Sequence, residues 1–177
     1  MLTNDISIRF AAPKDAASLA EIGRNSFYSA FHDHPKNAPE DMQIFMNQAF
    51  GEAIQASELT DKKIVYLIAE FAGETAGYAK LHKNTREAMV TGERPLEIAR
   101  FYLLPNFIGR GGIAGKLMQT VLNYARENGF DTVWLGVWEF NPRAQAFYKK
   151  WSFEHVGEHV FQLGNDPQTD WVWQRKV

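Results

Sequence analysis

Residues 109–115 of this sequence, Gly-Arg-Gly-Gly-Ile-Ala-Gly, form the stretch whose residue types and spacing most directly indicate chemistry. An apolar segment predicted as a strand, residues 96–104, precedes it, and a segment predicted as an amphipathic helix begins near Ile113. A glycine turn at a helix start presents unpaired N–H groups and the positive end of the helix dipole, which together bind phosphate. Glycine suits such a turn because a Cβ would hold a pyrophosphate away from these donors and would disfavour positive φ angles. The stretch therefore predicts a phosphate-binding loop.

A Walker phosphate loop is one interpretation of this stretch, and the sequence does not fit it. That motif needs Gly-x4-Gly-Lys-Ser/Thr. Arg110 occupies the position of the first glycine, and Leu117 follows Lys116 where a metal-binding hydroxyl is required. Nucleotide hydrolysis is therefore not expected.

A dinucleotide-binding fingerprint fits the stretch better. Gly109, Gly111 and Ala114 have its spacing, and Glu139 closes the next predicted strand, where an acid could meet a ribose. Against this interpretation, Pro105 and three further residues separate the strand from the glycines, and the chain has too little strand–helix alternation for a doubly wound sheet. A dinucleotide-dependent oxidoreductase stays an alternative, as does a glycine turn without a ligand.

A second pattern follows the predicted strand 132–138. It reads Asn141-x-x-Ala144-x-x-Phe147-Tyr148-x-x-x-Ser152-Phe153. With Gly112-x-Ala114 at the helix start, this pattern resembles the GCN5-related N-acetyltransferase (GNAT) family over essentially the whole chain. Segments 134–139, 147–150 and 166–170 more narrowly resemble its PaiA-like spermidine/spermine N-acetyltransferase branch. Two positions depart from the family pattern: Gly109 stands where Gln or Arg is usual, and Ser152 replaces a glycine.

The resemblance implies a fold and a reaction. The fold is α/β, with a mixed, mostly antiparallel six- or seven-stranded sheet, flanking helices and splayed central strands. The reaction is direct transfer from acetyl-CoA to a primary amine of a small molecule, with a polyamine favoured through the resemblance alone. A noncatalytic acetyl-CoA-binding regulatory module is a further alternative. The residues predicted to bind the cosubstrate are Leu103, Leu104, Arg110, Gly111, Gly112, Ile113, Ala114, Gly115, Lys116, Asn141 and Tyr148.

Two residues are candidates for proton transfer. Tyr148 is the predicted general acid, because a phenol with a pKa near 10 can protonate a departing thiolate; a core aromatic is the alternative. By resemblance, Glu97 at the start of the central strand is the base, acting directly or through water, and a surface glutamate is the alternative. By resemblance, Asn141 hydrogen-bonds the cofactor arm, although an Asn before a proline is also an ordinary helix N-cap.

The periodicity of apolar residues sets the expected elements. Predicted strands are 6–10, 64–70, 75–82, 96–104, 132–138, 153–162 and 171–175, and predicted helices are 13–31, 39–49, a short one ending near 59, 113–128 and 142–150. A turn of four residues, 71–74, is expected between the second and third strands, and another, 164–167, before the last strand.

Composition restricts the function further. A chain of 177 residues that is 45% hydrophobic predicts one packed N-acetyltransferase domain, 1–177. A net charge of -2 argues against a nucleic-acid partner. The lack of cysteine excludes zinc–cysteine sites, and His155 and His159, expected on one face of a strand, lack metal-ligand spacing, so no metal is expected.

The location and assembly of the protein are predicted only coarsely. The first five residues lack a leader pattern, and no apolar run approaches the roughly 18 residues of a membrane span. A cytoplasmic protein without a membrane partner is therefore expected. The expected partner is a small-molecule amine, and the sequence leaves the oligomeric state open, with a homodimer among the options.

Overall fold

A computed structural model of the chain describes residues 5–177 and shows a mixed β-sheet with helices on both faces. Residues 1–4, part of the stretch without a leader pattern, lie outside the described residues. The strands within the described part are β1 (Ile6–Phe10), β2 (Ile64–Phe71), β3 (Glu74–Lys83), β4 (Pro95–Leu103), β5 (Thr132–Trp138), β6 (Glu154–Leu163) and β7 (Asp166–Lys176). The helices are α1 (Ala16–Phe31), α2 (Pro39–Ala49), α3 (Glu52–Thr60), α4 (Ile113–Glu127) and α5 (Pro142–Lys150).

The order of the strands confirms the predicted fold class. The seven strands found within residues 5–177 are ordered β1-β2-β3-β4-β5-β7-β6. All neighbours are antiparallel except β4 and β5, which run parallel. Helix α4 supplies the crossover between these two strands, as a parallel pair requires.

The two turns predicted at four residues are shorter in the structure. Ala72 and Gly73 alone connect β2 to β3, with φ angles of 51° and 83°. Positive φ at both central residues matches the twist of a two-residue hairpin, so the strands pair up to the turn. Gly164 and Asn165 likewise connect β6 to β7, so that β7 begins at Asp166 rather than at Trp171.

Strands β4 and β5 diverge, as the resemblance implies. They pair only at Pro95↔Thr132, Leu96↔Val133 and Glu97↔Trp134. On the other side of β4, the consecutive β3 residues Lys80 and Leu81 pair with Arg100 and Ile98. Ala99 is therefore left unpaired as a bulge. A bulge bends and twists its strand, and here it accompanies the opening of a gap beyond Glu97.

The helices bury apolar residues against opposite faces of the sheet. Helix α4 places Ile113, Leu117, Val121 and Leu122 in the larger core with alternate residues of the strands, and α5 adds Tyr148 on this face. On the other face, α1 packs against the sheet and α2 closes a smaller aromatic cluster. The gap between β4 and β5 thus joins an α4/α5 face and an α1/α2 face.

A bulge in β6 corrects the prediction for its two histidines. The register with β7 shifts between His155 and Gly157. His155 packs against Trp171 and Trp173, whereas His159 lies beside Trp134 on the other face. The extra residue changes the alternation of side chains, so the two imidazoles do not share a face.

Two further findings concern residues 5–177 as a whole. None of the helices in this part of the chain is long and apolar enough to cross a bilayer. Within the same residues, no group of three or more His, Asp or Glu side chains is arranged to hold a metal ion.

Candidate active site

The gap between β4 and β5 opens into a cavity of about 780 Å³. Its walls are residues 98–103 of β4 and residues 136–138 of β5, together with side chains from α1 and α5. Gly109 and Ala114 of the glycine-rich loop line one mouth, and Tyr148 and Asn141 line the interior. The two sequence patterns thus meet at one cavity.

The glycine-rich loop leaves several amide groups free at the start of α4. Gly109, Gly111 and Gly112 have φ angles of 77°, 55° and 80°, which favour glycine. The N–H groups of these three glycines, and those of Ala114 and Gly115, donate to no acceptor among residues 5–177. A Cβ placed on Gly109 or Gly112 would meet no atom within 4 Å, so the loop faces open space. Free donors at the positive end of a helix of 15 residues form a site for an anion.

Other residues predicted to bind at this loop are placed differently. The N–H of Ile113 donates to the carbonyl of Arg110 at 3.2 Å, and its side chain is fully buried in the core. The N–H of Lys116 likewise donates to Gly112 at 2.9 Å. Ile113 therefore anchors the helix start instead of offering a free donor. The side chains of Arg110 and Lys116 are exposed beside the loop, where they could add positive charge.

The two leucines predicted to bind the cosubstrate differ in whether their backbone groups face the gap. The N–H of Leu104 donates to Ala76 on the β3 side at 2.9 Å. Because antiparallel ladders alternate, the backbone groups of Leu103 point the other way, toward β5. The carbonyl of Leu103 accepts a hydrogen bond from Ser26 Oγ at 3.3 Å. Leu103 lines the cavity, and Leu104 is not among its lining residues.

Tyr148 lies in the cavity wall on the α5 side. Its side chain is almost buried and packs against Phe101, Phe147 and Phe153. Burial, with a smaller contribution from Tyr102, raises the pKa of the Tyr148 hydroxyl well above its usual range. That hydroxyl makes no hydrogen bond within the described part of the chain. It therefore stays protonated at neutral pH and is available as a donor.

Asn141 serves as the N-cap of α5. Its Oδ1 accepts from the N–H of Ala144 at 3.1 Å, as the alternative interpretation expects. Its Nδ2 has no acceptor among residues 5–177, and the residue lines the cavity. One side chain can therefore cap the helix and still present an amide donor to a ligand.

Glu97 lies at the vertex where β4 and β5 begin to diverge. Its carboxylate is 3.9 Å from His82 Nδ1, and its side chain is 20% exposed. It is not among the residues that line the cavity. The structure therefore does not bring Glu97 together with Tyr148, Asn141 and the glycine loop, and its role as a base stays a prediction.

The far side of the cavity contains residues to which the sequence assigned no role in binding or catalysis. Phe27, Phe31, Trp138 and Phe161 line it with aromatic rings, and Asp170 supplies a carboxylate. Asp170 pairs with Trp138 across the β5–β7 ladder. Asp170 lies in segment 166–170, which resembles the PaiA-like branch, but the predicted start of β7 at Trp171 left it outside the strand.

Arg100 also lines the cavity, but its guanidinium is directed toward α2 and α3. It lies over the ring of Phe50 at 4.8 Å and donates to the carbonyl of Ala49 at 3.3 Å. Nearby, Lys80 Nζ and Glu58 Oε1 form an ion pair at 2.6 Å. These contacts make Arg100 part of a buried polar network that supports the floor of the cavity.

The fold and the cavity define a class of protein, and comparisons with known proteins agree. The profile of the Acetyltransferase (GNAT) family matches residues 20–153. An uncharacterized N-acetyltransferase of Lactobacillus delbrueckii subsp. lactis is 32% identical over 172 residues, which cover 97% of this chain and 98% of the relative. Another of Mycobacterium tuberculosis is 36% identical over 163 residues, which cover 92% and 98%. The crystal structure of PaiA N-acetyltransferase from Thermoplasma acidophilum in complex with coenzyme A has a TM-score of 0.74 at 19% identity, covering 98% of this chain and 99% of that one.

The chain belongs to the GNAT acetyltransferase family and is an acetyl-CoA-dependent N-acetyltransferase of that type. The dinucleotide-dependent oxidoreductase is not favoured, because the sheet is mostly antiparallel instead of doubly wound. The noncatalytic module is not favoured either, since the family and the relatives are transferases. At 19% identity the PaiA structure shows a shared fold, and the PaiA-like branch stays a prediction.

Proposed function

We propose that the protein transfers the acetyl group of acetyl-CoA directly to a primary amine of a small molecule. The observation that carries this proposal is the cavity itself, which joins a mouth of free N–H groups to an aromatic chamber through the gap between β4 and β5. A cosubstrate held on one side of the gap could meet an acceptor held on the other. This arrangement suits direct transfer between two bound molecules.

The cosubstrate is bound mainly by backbone groups in this proposal. The free amides of Gly111, Gly112, Ala114 and Gly115 hold the pyrophosphate, with Arg110 and Lys116 adding charge from the surface. The pantetheine arm pairs with the free edge of β4 near Leu103, much as an added strand would. The Nδ2 group of Asn141 adds a donor to the same arm. No coordinated metal is required for any of these contacts.

Tyr148 acts as the general acid. When the amine nitrogen attacks the thioester carbonyl, a tetrahedral intermediate forms, and its collapse breaks the carbon–sulfur bond. The Tyr148 hydroxyl donates a hydrogen bond to the departing sulfur and then its proton, which yields free CoA. Its raised pKa keeps the proton in place until negative charge develops on sulfur.

The amine must lose its proton before or during attack. Glu97 is the proposed acceptor of this proton, through water, because it lies at the vertex of the gap and not in the cavity wall. The acceptor class is a small primary amine, and polyamines are the first candidates because the far chamber combines a carboxylate with aromatic rings. A cytoplasmic location accompanies this proposal.

The test is a product assay with a panel of amines. The protein is incubated with acetyl-CoA and with polyamines, monoamines, amino sugars and alcohols of matched size, and products are identified by mass. We expect a gain of one acetyl group on at least one amine, release of CoA, and no product from the alcohols. In parallel, CoA should raise the melting temperature and NADH should not. Stabilisation by NADH alone, or CoA binding without acetylation of any amine, would contradict the proposal.

A further inference from the structure

The carboxylate of Asp170 is unusual among the residues that line the cavity. It is the one carboxylate in the cavity wall within residues 5–177, and its side chain is only 13% exposed. The nearest cationic partner given for it in the described part of the chain is His159, whose Nε2 lies 3.8 Å from Oδ2, which is too long for a close hydrogen bond. One long ion pair replaces only part of the water that a nearly buried carboxylate loses. A cationic ligand in the cavity would supply a closer partner.

His159 and Glu87 hold the surroundings of Asp170 in place. His159 Nε2 is 3.8 Å from Asp170 Oδ2, and His159 Nδ1 is 2.9 Å from Glu87 Oε1. The carboxylates of Asp170 and Glu87 raise the pKa of His159 to about 9, so the imidazole is charged at neutral pH. Two carboxylates against one imidazolium leave a net negative charge, and Asp170 is the member of the group that lines the cavity.

The backbone of β5 makes room for this group. A Cβ on Gly136 would lie 2.6 Å from His159 Nε2 and 3.1 Å from Asp170 Oδ2. Gly136 lies in the part of β5 that no longer pairs with β4, and it lines the cavity. The carboxylate therefore stands directly over the wall of the gap, where the acetyl group would be transferred.

The walls around Asp170 suit the carbon chain of an amine. Trp138 is its register partner on β5, and Phe161 and Phe27 line the same chamber. Aromatic faces attract cations and pack against methylene groups. Of the two guanidinium groups in the wall, that of Arg100 is directed to Phe50 and Ala49 instead.

We propose that Asp170, positioned by the His159–Glu87 pair, binds the ammonium group of the acceptor and selects alkylamines that are cationic at neutral pH. This inference rests on the proposed function and names a specificity residue for it. Asp170 binds the cation; it is not the base, which stays assigned to Glu97.

The test compares a cationic with a neutral amine. In Asp170→Asn, we expect KM for 1,4-diaminobutane to rise by about 10- to 100-fold, the usual loss when a charged partner is removed. KM for 4-methylaniline, which is uncharged at pH 7.5, and KM for acetyl-CoA should stay within about twofold. The matched control is Glu158→Gln, which removes a charge from an exposed position next to His159. It should change neither amine KM.

A second variant tests the position of Asp170 without changing its charge. Gly136→Ala should also raise KM for 1,4-diaminobutane more than KM for acetyl-CoA, because the new Cβ displaces His159 and Asp170. The role of His159 is tested by His159→Ala, which should raise the diamine KM, and by His159→Gln, which retains a donor and should restore much of it. An unchanged diamine KM in His159→Ala would remove the positioning role.

The outcomes separate this inference from the proposed function. If the parent acetylates amines but Asp170→Asn leaves the diamine KM unchanged, or raises both amine KM values equally, the specificity role of Asp170 is wrong and the transferase stands. If the parent acetylates no amine, the proposed function fails, and the role of Asp170 fails with it.

Discussion

The two ends of the cavity are built in different ways. At the mouth, residues close together in one loop and one helix start supply free backbone amides, and most side chains there are small or absent. At the far chamber, the walls are side chains from α1, β5, β6 and β7, separated by more than a hundred residues in the chain. A backbone site depends on local conformation, whereas a side-chain site depends on the packing of distant elements. In the proposed function, the mouth binds the cosubstrate and the chamber binds the acceptor.

Tyr148 lies between the two ends, and its hydroxyl offers the strongest test of how they cooperate. In Tyr148→Phe, we expect kcat to fall by roughly 10²- to 10⁴-fold, the usual contribution of a positioned acid. The melting temperature shift with CoA should persist, because the ring still packs against Phe101 and Phe153. Steady-state kinetics and thermal melts measure the two effects. Turnover at the parental rate would show that the hydroxyl is dispensable.

Gly112 tests whether the mouth acts through its backbone. Gly112→Asp should raise KM for acetyl-CoA by about 10- to 100-fold, because a carboxylate would face the pyrophosphate. Gly112→Asn is the matched control, since Asn has nearly the same shape, carries no charge and tolerates the φ of 80°. The amine KM should change little in either variant. Equal acetyl-CoA KM values for the two variants would show that strain, not charge, causes the defect.

His159 makes the stability of the region around the chamber depend on pH. Asp170 and Glu87 raise its pKa from 6.5 to about 9, so the folded state stabilises the charged imidazole. The stability from these contacts is fully present below pH 6.5 and is lost as pH rises through 9. The parent should have a higher free energy of unfolding than His159→Gln at pH 6. This excess should be about 1–3 kcal/mol larger at pH 6 than at pH 10. Urea titrations at both pH values measure this, and a difference independent of pH would contradict it.

Substitutions of Asn141 separate helix capping from ligand binding, and we expect their effects on stability and KM to be the smallest in this series. Asn141→Ala should lose about 1 kcal/mol of stability, because the N–H of Ala144 loses its acceptor. Asn141→Ser keeps an N-cap oxygen and should keep that stability. Both variants lack the amide donor, so both should raise KM for acetyl-CoA by a few-fold. If only Asn141→Ala raised KM, the residue would act through the helix and not on the ligand.

Local patterns predicted much of this protein. Strands β1 and β5 and helix α5 have the predicted bounds, and the two glycine- and asparagine-containing patterns both reach the cavity. The wrong predictions lie where one or two residues change how neighbouring strands pair. The bulge in β6 placed His155 and His159 on opposite faces, and the two-residue turn at Gly164 and Asn165 extended β7 to include Asp170. Periodicity alone does not reveal a bulge, because a bulge is defined by two residues of one strand lying opposite one residue of the partner strand.

The sequence by itself determined the glycine-rich loop, the start of α4 and the capping of α5, because each depends on neighbouring residues and on glycine or asparagine chemistry. Tertiary structure alone decided that β4 and β5 part after Glu97, that Leu103 and not Leu104 faces the gap, and that Glu97 stays outside the cavity wall. It also brought Asp170 to Gly136 and His159, across three strands. Such placements follow from the pairing of residues distant in sequence, which no local pattern encodes.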